Sequence, residues 1–87
     1  MENFKAEIKI TLRKGILDVQ GKAVQKALHS MDFQMLDNVR IGKFVELSVE
    51  AENENIAFEK VKIASEKLIA NPIIEDFDIS IIKKESK

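Results

Sequence analysis

Residue types that carry out most protein chemistry are missing or scarce in this chain of 87 residues. It has no cysteine, no tryptophan and no tyrosine, and it has a single histidine and a single proline. The lack of cysteine excludes disulfides and thiolate chemistry, and a lone histidine cannot compose a usual zinc site. The sequence offers no Ser-His-Asp or Cys-His motif for nucleophilic catalysis. We therefore predict no catalytic, cofactor-binding or metal-binding residues in this chain.

Charge and hydropathy exclude further classes of function. The chain has 14 Lys and Arg against 15 Asp and Glu, a net charge of −1, whereas a general binder of nucleic acid or anionic membranes would carry a basic excess. No stretch approaches the roughly 20 apolar residues of a membrane span, and the N-terminus has no signal-peptide run. We expect one cytoplasmic domain over residues 1–87, with no nucleic-acid or membrane partner. So small a chain is marginally stable alone, which favours self-association.

The first third of the chain predicts a strand and then a helix. Apolar and polar residues alternate over "FKAEIKITLR", which is typical of a half-buried strand. Asp18 is the predicted N-cap of a helix that ends near Met31. A polar residue, Gln20, begins the apolar face of this helix, which continues at helical spacing through Ala23, Val24, Ala27, Leu28 and Met31.

The stretch "VRIGKFVELSVEA", residues 39–51, has two interpretations. It forms one long strand with a bulge near Gly42 and Lys43, or a tight hairpin whose loop is residues 41–43. We favour the long bent strand. In both cases Phe44 falls on the face opposite to its apolar neighbours.

The rest of the chain predicts a second helix and a last strand. Asn53 or Asn55 is the predicted N-cap of the helix, which ends before Pro72 because the residue before proline avoids helical geometry. Its predicted core stripe consists of Ala57, Val61, Ala64 and Leu68, with Phe58 and Ser65 at the margin. The last strand covers residues 75–82, and residues 83–87 form a solvated tail.

This order of elements predicts an α+β two-layer sandwich of ferredoxin-like type, β-α-β(β)-α-β. An antiparallel sheet is covered on one face by two helices, and its other face is open. An open face in so small a chain invites a partner. The out-of-phase Phe44 indicates a protein interface more than an RNA-binding surface, which would display several aromatic residues.

Three stretches together resemble the PurS family, the small subunit of phosphoribosylformylglycinamidine synthase. They are "KGILDVQGKAVQKAL", "VRIGKFVEL" and "LIANPIIEDFDI", in this order and spacing, and the resemblance covers residues 4–82. The motifs "LDxQGKAV", "VRxGK" and "ANPxIED" are specific. The chain departs from the family at Val19, where proline is usual, and at Phe44 and Phe77, where tyrosine is frequent.

The resemblance implies a non-catalytic accessory subunit in purine biosynthesis. Such a subunit bridges a synthetase subunit and a glutaminase subunit, so that ammonia from glutamine reaches the ATP-dependent amidination site. ATP, magnesium and glutamine are then used by the complex and not by this chain. Two other interpretations stay open: a regulatory domain of the same fold that senses a small molecule, and an acylphosphatase-like hydrolase, for which "RKG" at residues 13–15 is a short match.

We predict two sets of contact residues, one for partner subunits and one for other copies of this chain. The predicted partner interface consists of Asp18, Gln20, Gly21, Arg40, Gly42, Lys43, Phe44, Asn71 and Pro72. Gln20 and Gly21 are unusual at a helix start: either a partner chain approaches them closely, or the first turn overhangs the core and tolerates them. Replacing both by Ala should hold or raise the stability of the monomer, because both changes favour the helix. The predicted self-association line on the second helix is Ile56, Ile63 and Ala70, which supports a dimer and, at a second level, a tetramer.

Overall fold

The computed structural model of the chain describes residues 1–84. The elements in chain order are β1 (Glu2–Leu12), α1 (Val19–Ser30), β2 (Lys43–Ala51), α2 (Glu54–Ala64) and β3 (Glu75–Lys83). A π-helical turn, Ser65–Ile69 (the π-turn), continues α2. β3 runs one residue further than predicted, since Lys83 pairs with Phe4 of β1. The part of the predicted tail beyond residue 84 lies outside the described residues.

The strands form an antiparallel sheet in the order β2-β1-β3. Ile8 at the centre of β1 is paired with Val45 on one side and with Ile79 on the other. Because β2 and β3 both run antiparallel to β1, they are parallel to each other and need a connection that crosses the sheet. α2 makes this crossing and packs against all three strands. The predicted ferredoxin-like α+β class, an antiparallel sheet with two helices, is confirmed.

The hydrophobic core lies between the sheet and α2. The inward side chains of β1 are buried, as the alternation predicted: Phe4, Ala6, Ile8 and Ile10. Ala57 and Val61 of α2 are buried against them. Burial of a side chain such as Ile8 contributes about 1.5–3 kcal/mol relative to leaving it in water.

The π-turn changes which side chains of the second helix face the sheet. The backbone N–H of Ala70 donates to the carbonyl of Ser65, five residues back, so this turn holds one residue more than an α-helical turn. One extra residue rotates the side chains that follow by about 100°. The predicted core position Leu68 is therefore wrong, since this side chain is 87% exposed. Ala64 precedes the turn and is also exposed, because the buried positions of α2 follow one another at four-residue spacing through Ala57, Val61 and Ser65. Ser65, Ile69 and Ala70 face the core instead.

The position of α1 also differs from the prediction. β1 and β2 are antiparallel neighbours, so the segment between them, residues 13–42 (the arm), leaves and rejoins the sheet at the same end and need not cross it. Within the described residues, α2 packs on the strands and α1 does not. The apolar side chains of α1 that should have met the sheet are exposed or only half-buried: Ala23, Val24, Ala27, Leu28 and Met31.

The arm gives the molecule an extended shape. The chain measures 52 × 32 × 15 Å and has a radius of gyration of 16.8 Å. A compact chain of this length would have a radius of about 12 Å. The prediction that both helices cover one sheet face is therefore right for α2 and wrong for α1.

The segment before β2 forms neither the long bent strand nor the hairpin. β2 begins only at Lys43. The backbone N–H groups of Val39 and Ile41 donate to side-chain oxygens of Gln25 and Asp18 in the arm. A strand ladder would need these same N–H groups, so the arm determines where β2 begins.

Candidate interaction site at the base of the arm

Asp18 fastens the start of the arm to its end. It is the N-cap of α1, and its Oδ1 accepts the backbone N–H of Gly21 at 2.8 Å. Its Oδ2 accepts the backbone N–H of Ile41, also at 2.8 Å. One carboxylate thus caps the helix and holds the return segment. The hydrogen bonds from Gly21 and Ile41 lower the pKa of the Asp18 carboxyl, and the charge of Arg40 lowers it further.

The polar face of α1 binds the return segment along its length. The side-chain amide of Gln25 donates to Oδ1 of Asp37 at 2.8 Å and accepts the backbone N–H of Val39 at 3.1 Å. His29 pairs through Nε2 with the carbonyl of Leu36 at 2.8 Å. Because this face of the helix is occupied, the apolar face on its other side points away from the chain.

Gly21 is explained by contacts within the arm. A Cβ at this position would lie 2.5 Å from the carbonyl oxygen of Val39 and 2.6 Å from Oδ2 of Asp18. Only a residue without a side chain fits where the helix start and the return segment cross. The expectation that Ala at both positions favours the fold is therefore wrong at Gly21, whereas Gln20 is exposed.

Two arginines tie the arm to one end of the sheet. Arg40 donates to the carbonyl of Leu12, the last residue of β1. Arg13 donates through its side chain to the carbonyl of Pro72 and through its backbone N–H to the carbonyl of Ile74, the latter at 2.9 Å. The base of the arm is therefore joined to the loop that precedes β3.

That loop is ordered by its own polar groups. The carbonyl of Asn71 accepts the backbone N–H groups of Ile74 at 3.1 Å and Glu75 at 2.7 Å. The Glu75 carboxylate accepts the Asn71 N–H at 2.7 Å and lies 3.5 Å from Nζ of Lys43. Lys43, Asn71 and Pro72 of the predicted interface thus come together at the end of the sheet where the arm begins.

Three further residues of the predicted interface lie around this base. A Cβ at Gly42 would lie 2.4 Å from the carbonyl oxygen of Ile10, so the entry into β2 requires a glycine. Gln20 is exposed on the first turn of α1. Phe44 is 54% exposed on the open face of the sheet, as its phase predicted, and is the β2 neighbour of Lys9.

An open hollow of about 410 Å³ lies beside these contacts. Its lining comes from the start of α1 and from the return segment, and includes Leu17, Asp18, Lys22, Asn38 and Arg40. The hollow combines apolar and polar side chains in a shallow shape.

Exposed apolar side chains form a second candidate surface. On α2, Ile56 and Ile63 are exposed, as predicted. Ala70 is only 7% exposed and belongs to the core, so its predicted place in the self-association line is wrong. The π-turn rotates it inward. Leu68, which is 87% exposed, was missed because an uninterrupted helical repeat assigns it to the core.

The arm carries a further exposed apolar surface. Its centre is the outward face of α1, formed by Gln20, Val24, Ala27 and Met31 (the arm face). Val24 is 39% and Met31 64% exposed. The helical period predicted this face correctly, but the arm face does not pack against the sheet of its own chain.

Two other kinds of site are absent from residues 1–84. No three His, Asp or Glu side chains come close enough together to hold a metal ion. Among the helices of these residues, none has the length and apolar character that a membrane crossing requires.

The fold and its surfaces define a small α+β binding module. Polar side chains hold the backbone of its arm in place, and apolar side chains of α1 and α2 are exposed at its surface. The chain belongs to the PurS family. The family model described as "PurS: Phosphoribosylformylglycinamidine (FGAM) synthase" matches residues 5–83.

Relatives from bacteria and archaea span nearly the same length. The phosphoribosylformylglycinamidine synthase subunit PurS of Bacillus subtilis is 43% identical over 74 residues, which cover 85% of this chain and 87% of the relative. The PurS subunit of Methanocaldococcus jannaschii is 37% identical over 82 residues, 94% of this chain and 99% of the relative. A solved structure named "Structure of PurLQS from Thermotoga maritima" superposes with a TM-score of 0.87 at 33% identity, over 94% of this chain and 100% of the matched chain.

Proposed function

We propose that this chain is the accessory subunit that joins the synthetase and glutaminase subunits of FGAM synthase, so that ammonia released from glutamine reaches the ATP-dependent amidination site. The superposition on a chain of the Thermotoga PurLQS structure over its full length carries this proposal. The complex uses ATP, magnesium and glutamine, whereas this chain contributes contacts. Its place of action is the cytoplasm.

The base of the arm is the proposed contact site for these partners. Its exposed side chains, Gln20, Arg40, Lys43, Asn71 and Pro72, face outward at one end of the sheet. Three other members of the set shape this site: the Asp18 carboxylate and Gly21 hold the helix start against the return segment, and Gly42 sets the entry into β2. Phe44 extends the contact onto the open sheet face.

A second copy of this chain is a further proposed partner. The arm face is exposed, and Ile56 and Ile63 form a separate apolar line on α2. Burying such side chains contributes about 1.5–3 kcal/mol each before the costs of association. Two separate apolar surfaces allow a dimer through one and a tetramer through both.

Co-elution of the three purified chains tests the assembly. We expect the synthetase and glutaminase to elute together only when this chain is present, with the mass of the complex followed by light scattering. Gln20→Ala should reduce the fraction in the complex, while Lys26→Ala, an exposed position elsewhere on α1, should not. A synthetase–glutaminase complex that forms equally well without this chain would contradict the proposal.

A further inference from the structure

Two neighbouring apolar residues compete for one position on the sheet. Ile69 packs against the core cluster that contains Val61, while Leu68 is 87% exposed. In an uninterrupted α-helix, Leu68 would lie seven residues after Val61 and on the same face. The π-turn is the feature that places Ile69 inward and Leu68 outward.

We propose that Ser65–Ile69 is a two-register switch in which Leu68 and Ile69 exchange places on the sheet. The π register is the one described above. In the α register, the turn closes with one residue fewer, Leu68 covers the sheet, and Ile69 and Ala70 rotate outward by about 100°. The residue released from the turn passes into the loop before β3.

Each register leaves a different group badly placed. The π register exposes the large side chain of Leu68, which is 87% in contact with solvent. The α register covers Leu68 but takes Ala70, which is now 7% exposed, out of the core. Because each register leaves one of these side chains badly placed, we expect the two to differ little in free energy and both to be populated.

The switch connects to the base of the arm. The loop that would take up the extra residue, residues 70–74, includes Pro72 and Ile74, whose carbonyls hold Arg13. Arg13 is the first residue of the arm. A change of register therefore alters the attachment of the arm. A protein that covers Leu68 favours the π register, in which the arm is held as described above.

Thiol labelling tests the exchange, because the chain has no cysteine of its own. Ala70→Cys places a thiol where only the α register exposes it. Ala57→Cys is the matched control, since Ala57 is buried on the same helix but precedes the π-turn. With the thiol reagent 5,5′-dithiobis(2-nitrobenzoic acid) under native conditions, we expect A70C to react at least tenfold faster than A57C. Equal rates would overturn the proposal.

Leu68→Gln separates the switch from simple fraying of the helix end. Gln keeps helix propensity but cannot replace Leu68 on the sheet. In the A70C background, we expect L68Q to slow labelling at least fivefold, whereas an unchanged rate would assign the exposure to fraying and overturn the switch. Should A70C fail to fold, NMR relaxation dispersion of the backbone N–H signals of residues 66–71 can be measured in the chain without cysteine. Conformational exchange that L68Q abolishes would support the switch. Absence of exchange would contradict it.

Discussion

The carboxylate of Asp18 accepts the backbone N–H of Ile41 at 2.8 Å, although 23 positions separate the two residues in the chain. The same carboxylate caps α1 through Gly21. Since α1 does not pack on the sheet, contacts of this kind replace a hydrophobic core in ordering the arm. Several consequences can be measured on the isolated chain.

The contribution of Asp18 should depend on pH. Its pKa lies below the ordinary value of 3.8 because the charged form receives two backbone hydrogen bonds. The stabilisation is therefore complete well above this value and is lost as the pH falls through the pKa of the folded state. Asp18→Asn, which removes the charge, should lower the melting temperature at neutral pH. The difference from the unsubstituted chain should shrink as the pH falls below 3.8 and through the lowered pKa of the folded state, which thermal melts by circular dichroism would show. A difference that does not change with pH would contradict this role.

Gly21→Ala should destabilise the chain although Ala is the better helix former. The added Cβ would meet the carbonyl oxygen of Val39 at 2.5 Å, and such overpacking costs about 1–3 kcal/mol. Gln20→Ala is the control at the neighbouring exposed position and should change the free energy of unfolding by less than about 0.5 kcal/mol. Urea denaturation measures both. A Gly21→Ala variant as stable as the control would mean that the return segment does not pass over the helix start.

Ser65→Ala should stabilise the fold. The hydroxyl is buried with no partner among the described residues, so its removal avoids a desolvation cost of about 1 kcal/mol or more. Ser80→Ala, at an exposed position of β3, should have little effect. Denaturant titration compares the two. A loss of stability of about 1 kcal/mol in Ser65→Ala would show that the hydroxyl makes a hydrogen bond.

Ile63→Glu should reduce the oligomeric mass of the chain without unfolding it. Ile63 is 51% exposed, so a charge there leaves the core intact but opposes burial at a contact between copies. Lys62→Glu adds the same carboxylate beside the apolar line and should leave the mass unchanged. Light scattering gives the mass, and circular dichroism checks the fold. An unchanged mass for Ile63→Glu would exclude this line from the contact.

Features that depend on nearby residues were predictable from the sequence. The alternation in β1 correctly identified the buried Ile8 and Ile10. Asp18 was expected as one N-cap and Asn53 or Asn55 as the other, and Asp18 and Asn53 each accept the backbone N–H three residues ahead. Each of these features rests on spacing along a few residues, which the sequence displays directly.

Features that depend on distant contacts were not predictable in this way. The apolar face of α1 was recognised from the sequence. Periodicity does not tell which surface packs against such a face, and the sheet of the same chain does not pack against this one. The π-turn inserts one residue into the helical repeat, so the helical positions after Ser65 were assigned to the wrong face, as Leu68 and Ala70 show. The role of Gly21 depends on the carbonyl of Val39, which is far away in the sequence.

The most direct test of the central claim compares two nitrogen sources in the reconstituted enzyme. FGAM formation is measured with the synthetase and glutaminase of the same organism, with and without this chain, using either glutamine or ammonium salt. The account predicts that this chain strongly raises glutamine-dependent turnover and has little effect on ammonia-dependent turnover by the synthetase. Glutamine-dependent turnover that is unchanged when this chain is left out would contradict it.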